Sequence, residues 1–256
     1  MRCSRFPSVS TFLVGGLLLA GGPAAAQVQQ SGAPAPLAGS KAAVATTPAP
    51  ATLPPRLQPL FGGLSAVQAP QLLGAPRLDN VARSFSSRAE ASAFFARKGY
   101  EYFNENQPDT ATYRFNLAWL LNPRNADAYH GLALIASTRA GSAAAALPLL
   151  SQALVLAPTD ANILADLGAT YLNRYAQTKK KKDLTAAAGH LERALTLNPS
   201  NAAAWQSTAR VRYYQEQYPA AWEAVRKGQA LDMTSLDFNF LTELMARQPD
   251  PLGVFK

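Results

Sequence analysis

The stretch "FNLAWLLNPRNADAY" (115–129) returns in outline as "LLSQALVLAPTDANIL" (149–164) and again as "HLERALTLNPSNAAAW" (190–205). Set on the proline, the copies agree at separated points. Phe115, Leu150 and Leu191 each stand eight residues before Pro123, Pro158 and Pro199. Ala118, Ala153 and Ala194 stand five before, Asn125, Asp160 and Asn201 two after, and Tyr129, Leu164 and Trp205 six after. The spacing between large and small residues is helical, so each copy predicts a helix, a proline break and the start of the next helix. Proline has no N–H to continue a helix and forces the residue before it out of helical geometry. The Asn or Asp two positions later is then placed to cap the helix that follows. One such hairpin has too little core to stand alone and must stack on its neighbours.

The rest of the chain frames this array. It has 256 residues, 48% hydrophobic and 16% charged, enough for one globular domain and a less ordered remainder. The net charge of +8 includes Arg2 and Arg5 and a stretch, 27–88, where Lys41, Arg56, Arg77, Arg83 and Arg88 face only Asp79. The remainder is nearly balanced, so the basic pI does not outline a nucleic-acid groove.

Residues 1–26 read as an export signal: a positive start, the short apolar run "FLVGGLLLA" (12–20), and small residues before a cleavage point after Ala26. An uncleaved anchor is the rival reading. The one cysteine, Cys3, lies inside this segment, which leaves the mature chain without a thiol for disulfides, metal or catalysis. The expected location is periplasmic or secreted, with membrane contact at most peripheral. Residues 27–86 are rich in Ala, Pro, Ser and Thr, and predict a disordered tether. Within it "RLQPLFGGLSAV" (56–67) is more apolar, and reads either as a docking peptide or as a sticky linker patch.

Order is expected from Ser87, which pairs with Glu90 in the spacing of a capping box. Phe95, Gly99, Tyr102 and Phe103 follow at helical spacing. Near the end, residues 235–248 predict a capping helix whose Leu236, Phe240, Leu241 and Leu244 cover the open end of the stack while Asp237, Thr242 and Glu243 face water. Residues 249–256 predict an irregular tail.

These four units resemble the tetratricopeptide repeat (TPR) family, whose helical hairpins recur every 34 residues. The units run at about 92–125, 126–160, 161–201 and 202–235, inside a domain spanning 87–248. The first carries Phe95, Gly99, Tyr102, Ala111, Phe115, Ala118 and Pro123 at the family's positions. The second carries Tyr129, Leu132, Ala133, Ala146, Leu150, Ala153 and Pro158. The third has Leu164, Leu167, Gly168, Tyr171, Ala187, Leu191, Ala194 and Pro199, with seven residues inserted. The fourth has Trp205, Ala209, Tyr218, Ala221, Val225 and Gly228, but Thr208 stands where the family has a large residue, and Met233 replaces the proline. The fold implied is all-α, a right-handed α-solenoid of about four TPR hairpins plus a C-terminal capping helix. The resemblance also implies a concave face lined by first-helix residues. Carried over, these are Tyr100, Phe103, Asn104, His130, Asn162, Asn173, Gln206, Arg210, Tyr213 and Tyr214, expected to bind a protein or peptide. The family's carboxylate clamp is absent, since Ala96 and Tyr100 stand at its positions.

A search for chemistry finds no catalytic constellation. His130 and His190 lie in different repeats without a ligand set at metal spacing, and His130 reads as a groove residue or a solvated surface histidine. Asp127, Asp160 and Asp166 sit near helix starts, where the helix dipole accounts for them. The inserted "QTKKKKDLT" (177–185) lengthens the first helix of its hairpin or loops out. Its Lys179, Lys180, Lys181 and Lys182 are either an anionic-surface contact or a solvated loop. The reading is a non-enzymatic cell-envelope scaffold or adaptor with no metal, no cofactor and no nucleic acid. Two alternatives stay open: a structural subunit of an envelope assembly, and an accessory recruited through Lys179–Lys182.

Overall fold

The computed structural model describes residues 53–140 and 143–255, all within the compact unit Pro50–Lys256. A first unit, Met1–Ala49, lies outside the described residues, and with it the export signal and the first part of the expected tether.

The chain is an all-α, right-handed solenoid of four helical hairpins and a capping helix, with no strand among the described residues. The hairpins are α4 (Arg88–Asn104) with α5 (Pro108–Leu121), α6 (Ala126–Ala140) with α7 (Ala143–Leu156), α8 (Ala161–Thr178) with α9 (Lys181–Leu197), and α10 (Ala202–Tyr214) with α11 (Tyr218–Leu231). A 3₁₀ turn, Met233–Ser235, leads to the cap α12 (Phe238–Arg247). In front stand a 3₁₀ turn (Pro55–Leu57) and three short elements, α1 (Leu60–Gly63), α2 (Ala69–Leu73) and α3 (Ala75–Arg83).

The recurring residues of the repeat have separate jobs. Helix α5 stops at Leu121, and Asn122 before Pro123 turns extended at φ −146°. Asp160 accepts from the N–H groups of Asn162 and Ile163, and Asn201 from Ala204, which caps α8 and α10. Asn125 goes further: it accepts the Asp127 N–H at 2.9 Å and donates to Ser92 Oγ at 2.8 Å, while Ser92 Oγ donates to the Ala118 carbonyl at 2.7 Å. That relay joins a helix start to both helices of the preceding hairpin.

Phe115 answers why large residues recur opposite small ones. It is fully buried, and its ring fills the space where a Cβ on Gly99 or Gly131 would sit. A side chain at Gly99 would meet the ring at 2.6 Å, and one at Gly131 at 2.1 Å. One aromatic ring thus wedges between its own hairpin partner and the next unit, contributing about 2–3 kcal/mol by burial. Leu191 repeats the arrangement against Gly168, where a Cβ would lie 2.6 Å from Leu191 Cγ.

Four local expectations are corrected. Ser87 Oγ does accept from the Glu90 N–H, but the Glu90 carboxylate accepts from the Ser86 N–H instead of returning to Ser87. The inserted residues lengthen both helices of the third hairpin, leaving only Lys179 and Lys180 between α8 and α9. Asp237 does not simply face water: it caps α12 by accepting the Phe240 N–H at 3.0 Å and pairs with Arg210. The fourth concerns the tether.

Where the chain is described, from Leu53, the segment is not structureless. Phe61 is only 3% exposed and stands against Trp119 with ring centroids 6.5 Å apart. Leu78 of α3 is buried, and Phe85 meets Phe94 and Phe95. The anchor is Asn116 of α5, fully buried, whose Nδ2 donates to the carbonyls of Arg56 and Gln58 and whose Oδ1 accepts the Leu60 N–H at 2.9 Å. All three of these hydrogen bonds go to a segment more than fifty residues away. The turn α1 that follows is left-handed, with φ 50° at Leu60, 55° at Phe61, 82° at Gly62 and 90° at Gly63. Two glycines make half of it inexpensive, while Leu60 and Phe61 carry a local cost that burying their side chains offsets. The apolar patch at 56–67 is therefore a docked element of this chain.

Candidate functional site

The first helices of the hairpins, α4, α6, α8 and α10, bring four of the ten expected groove residues together. Tyr100, Asn104, His130 and Asn162 line one open cavity of about 520 Å³. Asp127, Asp160, Asp166 and Asn201 share it. The site therefore holds three carboxylates, absent from the expected residues, beside its amides, which makes the lining rich in acceptors.

At its centre a hydrogen-bonded chain crosses three units. Tyr100 Oη lies 2.9 Å from His130 Nδ1, and His130 Nε2 lies 2.6 Å from Asp166 Oδ2. With the imidazole proton on Nε2, the phenol donates to Nδ1 and Nε2–H donates to the carboxylate. Burial pushes the Tyr100 phenol well above its ordinary range, and the charges of Asp127, Asp160 and Asp166 push it further. The phenol thus stays protonated, a fixed donor and no nucleophile. His130 is 8% exposed, which corrects the solvated-histidine reading, while Asp166 is 38% exposed toward the cavity.

The other expected residues serve elsewhere. Phe103 packs against the core beneath the first two hairpins. Gln206 lies against Gly228, where a Cβ would come within 3.1 Å of its Nε2. Arg210, the expected groove cation, pairs with Asp237 and sits 4.8 Å from the Phe240 ring centroid. Tyr213 contacts Tyr214, Tyr218 and Phe240, so it joins α10 to α11 and the cap. Tyr214 meets Tyr175, and Lys179 Nζ lies over both rings at 5.2 and 5.6 Å. Asn173 is exposed and outside the cavity.

Of the lysine run, Lys179 is thus occupied at the end of α8 in a left-handed conformation, while Lys180, Lys181 and Lys182 are exposed. Beneath them Arg174 makes a two-pronged bond to buried Asp183, at 2.9 and 2.7 Å. No group of three His, Cys, Asp or Glu side chains among the described residues is placed to hold a metal.

Compared with solved structures, the chain superposes on a thermophilic TPR protein of Thermus thermophilus with a TM-score of 0.50 and 20% identity. The match covers 63% of this chain and 93% of that one. The fold is the TPR fold. PilF of Pseudomonas aeruginosa aligns at TM-score 0.49 and 22% identity, over 66% of this chain and 79% of its own. No family model and no curated sequence matches the chain. The TPR register itself is interrupted here, by the insertion at 177–185, Thr208 and Met233.

The carboxylates of the cavity were the residues that sequence reasoning missed as a group. Asp127 and Asp160 sit at helix starts, where a local explanation suffices, whereas Asp166 lies past the first turn of α8, which corrects its helix-start reading; only stacking of the hairpins puts the three side by side. A signal was present: an Asp at or near the start of each of two successive first helices.

Proposed function

We propose that this chain is a non-enzymatic scaffold or adaptor of the cell envelope, binding an extended protein or peptide segment in the groove of its TPR solenoid. The observation that carries this is the cavity shared by Tyr100, His130, Asn162 and Asp166, drawn from three hairpins. Its amides and carboxylates suit backbone N–H groups and cationic side chains of a bound segment. The stacked helices hold those groups in place before binding, so little ordering is needed. The envelope assignment rests on the export signal read at 1–26. Among the described residues no helix is long and apolar enough to cross a membrane.

The test is site-specific photocrosslinking in the cell envelope. A probe replacing Asn162 samples the groove, while probes at Lys181 and Glu243 sample the lysine run and the cap. A discrete protein adduct from Asn162 alone is the expected result. Adducts only from Lys181 or Glu243 overturn it.

A structural-subunit reading has one observation in its favour. Met233, just before the cap, and Phe238, its first residue, are 69% and 72% exposed, an apolar surface that a permanent partner would cover. Adducts from Glu243 alone would select it.

A further inference from the structure

The register that aligns the repeats also aligns their surfaces. Counting from Pro123 and Pro199, Asn116 corresponds to Glu192, Phe115 to Leu191 and Trp119 to Leu195. On the next helix Tyr129 corresponds to Trp205, Leu132 to Thr208 and Ile135 to Val211. The α5/α6 member of this pair of grooves is filled by the chain itself: Leu60 packs against the cluster holding Phe115 and Leu132 and against that holding Trp119, Phe61 lies against Trp119, and Asn116 holds the backbone. The α9/α10 member is open. It is a cavity of about 350 Å³ lined by Leu191, Glu192, Leu195, Trp205, Thr208 and Val211. Cavities of roughly 300–1,000 Å³ with an apolar lining and a few polar groups are those that take ligands. Thr208 in its lining stands where the second unit has the larger Leu132.

We infer that the α9/α10 groove docks a partner protein through a turn carrying two adjacent apolar side chains, as the α5/α6 groove holds Leu60 and Phe61 in theirs. The groove is formed by faces of α9 and α10 other than those lining the Tyr100–His130 cavity, so this inference stands apart from the proposed function. The backbone recognition also has a counterpart. Asn116 accepts one N–H and donates to two carbonyls. At the open groove Glu192 supplies the acceptor and Arg212, on its rim, the donor, through guanidinium N–H groups other than the Nη1 that bonds Gln215 and Gln217. The charges around it, Glu192 and Arg212 with Glu223 and Lys227 beyond Trp205, balance in sign, which favours recognition of backbone and apolar side chains over a charged segment. A second copy is disfavoured as occupant because its Leu60 and Phe61 are already held by its own α5.

The probe is a fluorescent peptide of residues 53–66, titrated into the full mature chain and followed by anisotropy. Saturable binding is expected. Thr208→Leu, which fills the cavity, should weaken it at least roughly tenfold, and so should alanine at both apolar positions of the peptide. Glu192→Lys changes an exposed rim residue, so it keeps the question answerable if Thr208→Leu folds poorly, and it too should weaken binding. Absence of binding at millimolar peptide overturns the inference. So does binding indifferent to both variants, which would mean exchange at α5. Self-association of the chain that Thr208→Leu abolishes overturns it as well, since the occupant would then be a second copy.

Discussion

The ring of Phe115 stands where a side chain on Gly131 would be, 2.1 Å from an ideal Cβ. The two belong to different hairpins, so the contact sets how closely the first unit approaches the second. Gly131→Ala should lower stability by about 1–3 kcal/mol, since a buried aromatic ring must move to admit the methyl group. Gly189→Ala is the control: nothing lies within 4 Å of its Cβ position, and helix propensity alone should leave stability unchanged or raised by up to about 1 kcal/mol. Thermal unfolding followed by circular dichroism compares them, and equal melting temperatures would refute the wedge.

Asn116 holds the docked segment through three hydrogen bonds. Asn116→Ala leaves the Leu60 N–H and the two carbonyls to find water, at about 1–3 kcal/mol of local stability. Hydrogen exchange at residues 56–64 should speed up while the interiors of α8 to α11 stay protected. Unchanged exchange at Leu60 would show that Phe61 burial alone keeps the segment in place.

The hydrogen bonds from Arg174 hold the Asp183 carboxyl below the usual carboxylate range. The folded value lies below the unfolded one, about 3.9, so this contribution is fully present above pH 4 and is lost as pH falls through the folded value. Arg174→Ala should cost about 1.5–3 kcal/mol at neutral pH, the range for hydrogen bonds to charged groups. It should also flatten the acid side of the stability curve. Urea midpoints at pH 7 and pH 3 check both.

His190 stacks on Tyr171, rings nearly parallel with centroids 5.6 Å apart, and burial lowers its affinity for a proton, with Arg193 adding to the effect. The unfolded chain takes up that proton first, near pH 6.5, so stability should decline as pH falls below about 6.5. His190→Phe keeps the stacking and should remove that slope. A slope that survives the substitution places the titration on another group.

Much of the architecture was legible because its determinants are local. Pro123, Pro158 and Pro199 end helices through their own rings, and Asp160 and Asn201 cap the next ones within three residues. Leu236, Phe240, Leu241 and Leu244 announced the cap by spacing, and the last three are buried there. The groove was legible only in part. Arg210 and Tyr213 sit at the right positions for it, but the cap folds back on them, and no rule within one repeat anticipates where the last helix lies.

Sequence alone determined the repeating hairpin, its register and its closure, because helix propensity, capping and proline geometry act over a few residues. Tertiary structure decided what the surfaces do. Tyr100, His130 and Asp166 come from three units, and Asn116 reaches a segment more than fifty residues away. Such contacts depend on how one hairpin is rotated against the next. That rotation is a property of packed side chains such as Phe115 against Gly131, and no single stretch of the chain contains it.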